Sequence, residues 1–129
     1  MHPNADTIAE LVEVIWRRRD LDALDRFWSA DCVNHAAGPS DRRGLDALAR
    51  YHRSQFAAFV DFHAPTIDIV QQVADDDGVA THLVTTATHG PTDRSVTMTS
   101  MRFDRMRAGK VVEHWSVADQ AGLLAQLQA

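Results

Sequence analysis

The chain has 129 residues, of which 45% are hydrophobic and 24% charged, and its formal net charge at pH 7 is -5. This composition is that of an ordinary soluble globular protein, and the acidic balance argues against a nucleic-acid partner. A single cysteine, Cys32, excludes an internal disulfide, and no segment is apolar for long enough to span a bilayer. Since the N-terminus lacks a signal-peptide pattern, we expect one cytoplasmic domain over residues 1–129 that binds no membrane.

Helical spacing dominates the first half of the chain. A capping-box pattern at Thr7–Glu10 precedes one apolar helical face, which consists of Ile8, Leu11, Val12, Ile15 and Trp16. Arg17–Arg19 then suit a solvated C-terminal turn. Asp20 can cap a second short helix that carries Leu21, Leu24, Phe27 and Trp28. A turn-rich segment, residues 36–44, leads to a third helix whose apolar stripe includes His52, which we interpret as a core histidine.

From Ala64 onwards the hydrophobic pattern has period two and predicts strands. Residues 66–73, 79–89, 95–105 and 111–117 alternate and are separated by short turns, which is typical of an antiparallel meander. Residues 122–127 predict a short terminal helix. We therefore predict an α+β fold, in which a curved, mostly antiparallel sheet forms a cone. Three N-terminal helices pack on this sheet, the short C-terminal helix follows it, and the cone encloses a pocket.

The end of the last strand combines an acid, an imidazole and an indole in the sequence KVVEHWSVAD, residues 110–119. Asp119 follows the strand and can point into the open end of the sheet, where the indole of Trp115 would desolvate the carboxylate and make it a better base. Alternatively, Asp119 caps the terminal helix. Strict alternation places Trp115 and His114 on opposite faces of the sheet, so His114 is a structural residue unless a bulge intervenes.

Residues 109–127, GKVVEHWSVADQAGLLAQL, resemble the C-terminal signature of the SnoaL-like polyketide cyclase family. That signature has a Gly-Lys turn, Glu-His-Trp, an Asp four residues after the Trp and a final Gln-Leu. Shorter matches are spread over the chain at Asp31–His35, Gly44, Phe59–Asp61, Thr88–Gly90 and Pro91–Arg94. The family has the ketosteroid-isomerase-like α+β cone, also called nuclear transport factor 2-like, and often forms dimers or higher oligomers through the sheet.

The resemblance implies acid–base chemistry without a cofactor or a metal. In the cyclases, the Asp matching Asp119 removes a proton from a carbon between carbonyl groups, and the enolate closes a ring by intramolecular aldol condensation. His35 is the second catalytic candidate. The substrate-binding candidates are Asn34, Trp115, His114 and His89. We expect a small apolar or polyketide-like ligand in an internal cavity, and a homodimer or higher homo-oligomer.

One strand departs from the family pattern. Residues 97–103 offer only Thr and Ser as small polar partners for the Asp, and Arg102 is expected to face outward. Three other interpretations stay open. The fold could serve an isomerase, a dehydratase, or an epoxide or ester hydrolase, and a hydrolase would need an Asp–Arg–Asp relay for which Arg102 and Asp104 are candidates. The domain could be a non-catalytic ligand-binding or dimerisation module. A metal site of His35, His89 and His114 lacks a recognised ligand spacing.

Overall fold

The structure is a computed structural model that describes residues 1–36 and 41–129. Part of the predicted turn at residues 36–44 therefore lies outside the described residues. The helices are α1 (Pro3–Leu11), α2 (Leu24–Phe27), α3 (Leu45–Ala58) and α4 (Gln120–Gln128). The strands are β1 (Trp28–Asn34), β2 (Arg42–Arg43), β3 (Phe62–Ala74), β4 (Gly78–His89), β5 (Arg94–Arg107) and β6 (Lys110–Ala118). None of the described helices has the length and the apolar run needed to cross a membrane.

Helix α1 begins earlier than its sequence pattern predicts. The helix starts at Pro3, and the ring of His2 accepts a hydrogen bond from the backbone N–H of Asn4 at 3.1 Å. The capping-box prediction at Thr7 was wrong, because proline is already suited to the first helical turn. The predicted apolar face is confirmed, since Ile8, Leu11, Val12 and Ile15 are all buried. The helix continues as a π-helix over Val12–Arg17.

The second helical segment is shorter than predicted. It consists of a 3-10 turn, Leu21–Ala23, followed by the single turn of α2. Asp20 makes no side-chain capping bond there. Trp28 begins β1, where it pairs with Val111 of β6. The assignment of Trp28 to a helix was wrong, because pairing with a distant strand outweighs local helical spacing.

The six strands form one sheet in the order β2-β1-β6-β5-β4-β3. The predicted four-stranded antiparallel meander is confirmed as β3 to β6. β1 and β2 were not predicted, and β1 runs parallel to β6. The sheet is curved and unclosed, and helices α1 and α3 cover its inner face, where the apolar core lies. This arrangement is the predicted α+β cone.

The outer face of the sheet carries exposed apolar side chains. Met101 and Phe103 of β5 are 47% and 43% exposed, and Val117 of β6 is 70% exposed. In register, Met101 pairs with Val117 and Phe103 pairs with Trp115. These four side chains therefore form a patch on neighbouring strands, which we call the outer apolar patch.

Candidate active site

A β-bulge in β6 decides which side chains of the last strand face the helices. The pairing of β5 with β6 shifts by one residue at Val112, which has no partner of its own on β5. An extra residue reverses the alternation beyond it. Val111 and His114 are consequently both buried although they are three residues apart. The bulge turns His114 toward the helices and Trp115 toward the outer face.

The inner face of the sheet and the helices enclose a cavity of about 240 Å³. Its apolar lining residues include Trp16, Phe56, Phe59, Phe62, Leu83 and Met98. Its polar lining residues include Arg19, Tyr51, Ser100, Arg102, His114 and Ser116. Among the described residues, no Asp or Glu side chain lines the cavity. A mostly apolar cavity with a few polar groups is the usual form of a small-molecule site.

A buried group of three charged or titratable side chains stands in one wall of the cavity. Asp104 is fully buried and accepts two hydrogen bonds from Arg102, from Nε to Oδ2 and from Nη2 to Oδ1, both at 2.8 Å. Its Oδ1 also lies 2.7 Å from Nδ1 of His114. Because an ionised carboxylate only accepts, Nδ1 of His114 carries the proton. In the neutral ring, Nε2 is then the acceptor, on the side of the ring away from Asp104.

The electrostatics keep Asp104 charged and His114 neutral at pH 7. Burial by itself raises the pKa of Asp104, but the charge of Arg102 and the hydrogen bonds from Arg102 and His114 lower that pKa to about 2. For His114, burial and the Arg102 charge lower the pKa, and Asp104 opposes them. The pair therefore combines a fixed carboxylate with a neutral imidazole that can accept a proton.

The position of Arg102 differs from the expectation. Arg102 is buried and lines the cavity, so the prediction that it faces outward was wrong. In a strand, residues two apart share a face, and Arg102 and Asp104 form an R-x-D pair on the inner face of β5. This spacing was the available sequence signal for the site. Tyr51 and Trp16 were missed as cavity residues, because their helical positions show only that they face inward.

Asp119 lies at the rim of the cavity rather than in it. Its Oδ1 accepts a hydrogen bond from the backbone N–H of Gly122 at 2.9 Å, which makes it the N-cap of α4. Its side chain is exposed, whereas its neighbours Ala118 and Gln120 line the cavity. The expectation that Asp119 and Trp115 line one cavity was wrong, because the cap holds Asp119 and the bulge turns Trp115 outward.

His35 belongs to a polar cluster outside the cavity. Its Nδ1 lies 2.7 Å from Asp41 and its Nε2 lies 2.7 Å from Glu113. The hydrogen bonds that the ring donates, first to Glu113 and then to Asp41, raise the pKa of His35. The ring stacks on Trp115 with centroids 4.9 Å apart. The structure thus brings His35 and Trp115 together, but on the outer face of the sheet.

Asn34 and His89 also lie outside the lining of the cavity. Asn34 is almost completely buried, pairs in register with His114, and accepts a hydrogen bond from the N–H of Ala36 at 2.8 Å. His89 ends β4, where its Nδ1 lies 2.8 Å from the hydroxyl of Thr92. Of the predicted site residues, only His114 lines the cavity directly.

The histidines proposed as metal ligands do not form a ligand group. Within residues 1–36 and 41–129, no three or more His, Cys, Asp or Glu side chains are arranged to hold a metal ion. His35 is bonded to two carboxylates on the outer face, while His114 is bonded to Asp104 on the inner face. The two imidazole rings therefore lie on opposite faces of the sheet and cannot bind the same metal ion.

Comparison with known proteins places the chain in a family. The model of the SnoaL-like polyketide cyclase family matches residues 6–127. IdmH from Streptomyces antibioticus, a proposed polyketide cyclase, has a solved structure with 30% sequence identity and a TM-score of 0.84, and the match covers 99% of this chain and 100% of that one. AclR from Streptomyces galilaeus, a proposed hydroxylase, is 26% identical with a TM-score of 0.76 and coverage of 97% and 95%. No curated protein matches the chain. Because the family model spans nearly all of the sequence, the chain belongs to the SnoaL-like polyketide cyclase family.

Proposed function

We propose that the chain is a cofactor-independent acid–base enzyme of the polyketide cyclase type, acting on a small carbonyl compound in the cavity. The observation that supports this most strongly is the His114–Asp104 pair. A neutral imidazole oriented by a buried carboxylate stands in the wall of an apolar cavity. Such a pair can take a proton from carbon and stabilise the imidazolium that forms.

In the proposed reaction, Nε2 of His114 removes a proton from a carbon next to a carbonyl group, and Asp104 stabilises the resulting positive charge. The enolate carbon then attacks a ketone of the same molecule, which forms the new carbon–carbon bond and an alkoxide. The imidazolium returns its proton to that alkoxide, so the ring closes without net loss of a proton. Tyr51, Ser100 and Ser116 line the cavity, and in the proposed reaction their hydroxyls donate to the oxyanion.

Asp119 is the second candidate for the base. Its neighbours Ala118 and Gln120 line the cavity, so a rotated Asp119 side chain would lie at the rim. The family resemblance assigns the proton abstraction to this position. In the cap conformation, however, its Oδ1 is bonded to Gly122. Using Asp119 as a base would require that this cap be released or shared.

Other reactions on the same fold remain alternatives, because one fold serves many chemistries. The two solved relatives are named for different activities, a cyclase and a hydroxylase. The Asp–Arg–Asp relay of a hydrolase has less support, since the ion pair of Arg102 within the described residues is with Asp104 alone. A non-catalytic binding module would bind a ligand in the cavity but would leave the carbon-bound protons of that ligand unexchanged.

The proposal includes a homodimer that forms through the outer apolar patch. Met101, Phe103 and Val117 are exposed on two adjacent strands, and the indole of Trp115 lies beside Phe103, with ring centroids 5.8 Å apart. Isolated exposed apolar residues are ordinary, but a contiguous group suits a protein interface.

The test compares three variants for the exchange of carbon-bound protons of a fused-ring ketone in deuterated water, followed by NMR. His114→Gln and Asp104→Asn should lower the exchange rate by roughly a hundredfold or more, because they remove the base or its orienting carboxylate. Asp119→Asn is the matched control, since Asn caps a helix about as well as Asp. It should retain most of the exchange.

The reverse pattern, in which only Asp119→Asn abolishes exchange, would move the base to Asp119. Unchanged exchange in all three variants, each verified to be folded by circular dichroism, would contradict acid–base catalysis by either group. A chain that binds the ketone without exchanging its protons would instead support the binding-module alternative.

A further inference from the structure

The segment that follows the π-helix places one arginine apart from its neighbours. Arg17 and Arg18 both pair with Glu13, and the Nε of Arg18 lies 3.4 Å from its carboxylate. Arg19 turns away from this pair, and its guanidinium lies over the ring of Phe56, 4.8 Å from the centroid. Both Arg19 and Phe56 line the cavity. Of the three consecutive arginines, Arg17 and Arg18 thus pair with Glu13 at the surface, whereas Arg19 lies at the cavity.

The backbone of Arg19 is strained. Its φ angle is +57°, in the left-handed region that residues with a Cβ atom seldom adopt. The position follows the end of a helix, where glycine or asparagine is the usual residue. The left-handed turn lets the N–H of Asp20 bond to the carbonyl oxygen of Val14 at 3.1 Å and so ends the helix, but an arginine is more strained there than a glycine would be. Strain of this kind is often retained where the side chain has a function.

The charges around the cavity favour an anionic ligand. Arg19 and Arg102 line the cavity, and no carboxylate lines it among the described residues. Arg102 is neutralised by its two hydrogen bonds to Asp104. Within the described part of the chain, no carboxylate lies within 4.0 Å of the Arg19 guanidinium. The exposed Arg19 therefore places an uncompensated positive charge at the edge of the cavity, although the chain as a whole carries a net charge of -5.

We propose that Arg19 binds the carboxylate of an amphiphilic ligand whose apolar part fills the cavity. Stacking on Phe56 fixes the guanidinium plane and leaves its N–H edge free for a bidentate contact with a carboxylate. The ligand class is thus an aromatic or alicyclic carboxylic acid rather than a neutral compound. This inference rests on the proposed function only in using the same cavity, and it does not depend on which residue is the base.

The test measures binding of 2-naphthoate and of 2-naphthamide, its neutral analogue, through the fluorescence of Trp16, which lines the cavity. The wild-type chain should bind the carboxylate about tenfold more tightly than the amide, because a charge-assisted pair is worth on the order of 1.5 kcal/mol. Arg19→Met should abolish this preference and leave the amide affinity within about twofold. Arg18→Met is the matched control, because it removes a neighbouring arginine that does not line the cavity.

Two results would overturn the inference while leaving the cavity in place. One is equal binding of the carboxylate and the amide by the wild-type chain, and the other is an equal loss of preference in Arg18→Met and Arg19→Met. Binding of neither probe would overturn the inference together with the cavity on which the proposed function relies. As an independent readout, raising the salt concentration should weaken carboxylate binding in the wild type and leave amide binding unchanged.

Discussion

His52 shows how a single buried residue couples the fold to pH. It is buried in the helical layer, as its place in the apolar stripe predicted, and its ring lies 4.8 Å from that of Trp16. Nδ1 donates to the carbonyl oxygen of Leu48 at 2.9 Å, whereas Nε2 has no hydrogen-bond partner in the described structure. Burial lowers the pKa of His52 to about 4. The folded chain therefore holds this ring neutral.

A pH dependence of stability follows from this pKa. Because the folded pKa lies below the unfolded value of about 6.5, the unfolded chain binds the proton more readily. His52 thus costs no stability above about pH 6.5, and stability is lost as the pH falls toward 4. Between pH 7 and pH 5, this residue should remove about 2 kcal/mol from the free energy of unfolding.

The measurement is urea denaturation of the wild type and of His52→Met at both pH values. Methionine fills a similar volume and does not titrate, so the variant should lose about 2 kcal/mol less than the wild type. The neutral ring of His114 contributes a loss of the same sign in both proteins, which the comparison cancels. An identical pH dependence in both proteins would show that His52 is not held neutral.

At the scale of elements, β6 shows what alternation could and could not predict. The period-two pattern correctly assigned His114 and Trp115 to opposite faces of the sheet, but it did not reveal which of the two side chains faces the cavity. That choice depends on the bulge at Val112, which arises from pairing with β5 and leaves no local sequence signal. Strand β1 was missed for a related reason, because its hydrogen bonds come from β6, distant in sequence.

The start of α4 offers a prediction that isolates the capping role of Asp119. A Cβ atom added at Gly122 would overlap the Asp119 carboxylate, so Gly122→Ala must displace the cap. Alanine is favoured over glycine inside a helix by up to about 1 kcal/mol, and loss of an Asp cap costs about the same. We therefore expect Gly122→Ala to leave stability nearly unchanged in the wild type and to raise it by about 1 kcal/mol in an Asp119→Ala background.

A double-mutant cycle by thermal or urea denaturation measures this coupling. Asp119→Asn gives the control background, because it keeps the cap and should behave like the wild type. If Gly122→Ala stabilised all three backgrounds equally, the Asp119 carboxylate would not be capping α4. The Asp119 carboxylate would then be free to act as the base at the cavity rim.

At the scale of the whole molecule, the sequence predicted the architecture better than the site. Helical periodicity in the first half and period-two alternation in the second directly reflect one-sided burial, which the final fold preserves. The site depends on features that arise only when strands pair, namely the bulge in β6, the parallel β1–β6 contact and the alignment of Asp104 with His114. The family resemblance identified the fold and one residue of the cavity wall, His114, but not its partners Arg102 and Asp104.

The open outer face of the sheet leads to a prediction about assembly. If the outer apolar patch forms the interface of a homodimer, light scattering should give twice the chain mass of 14.4 kDa at micromolar concentrations. Phe103→Lys should convert this species to a monomer, because an isologous interface would bring the two new charges together in a desolvated patch.

Val60→Lys is the matched control, since Val60 is 67% exposed and lies in the turn after α3. A wild-type mass of a single chain would contradict the dimer, and so would equal dissociation by both lysine variants. Because Phe103 does not line the cavity, the Phe103→Lys monomer should still bind naphthalene probes, which would separate assembly from ligand binding.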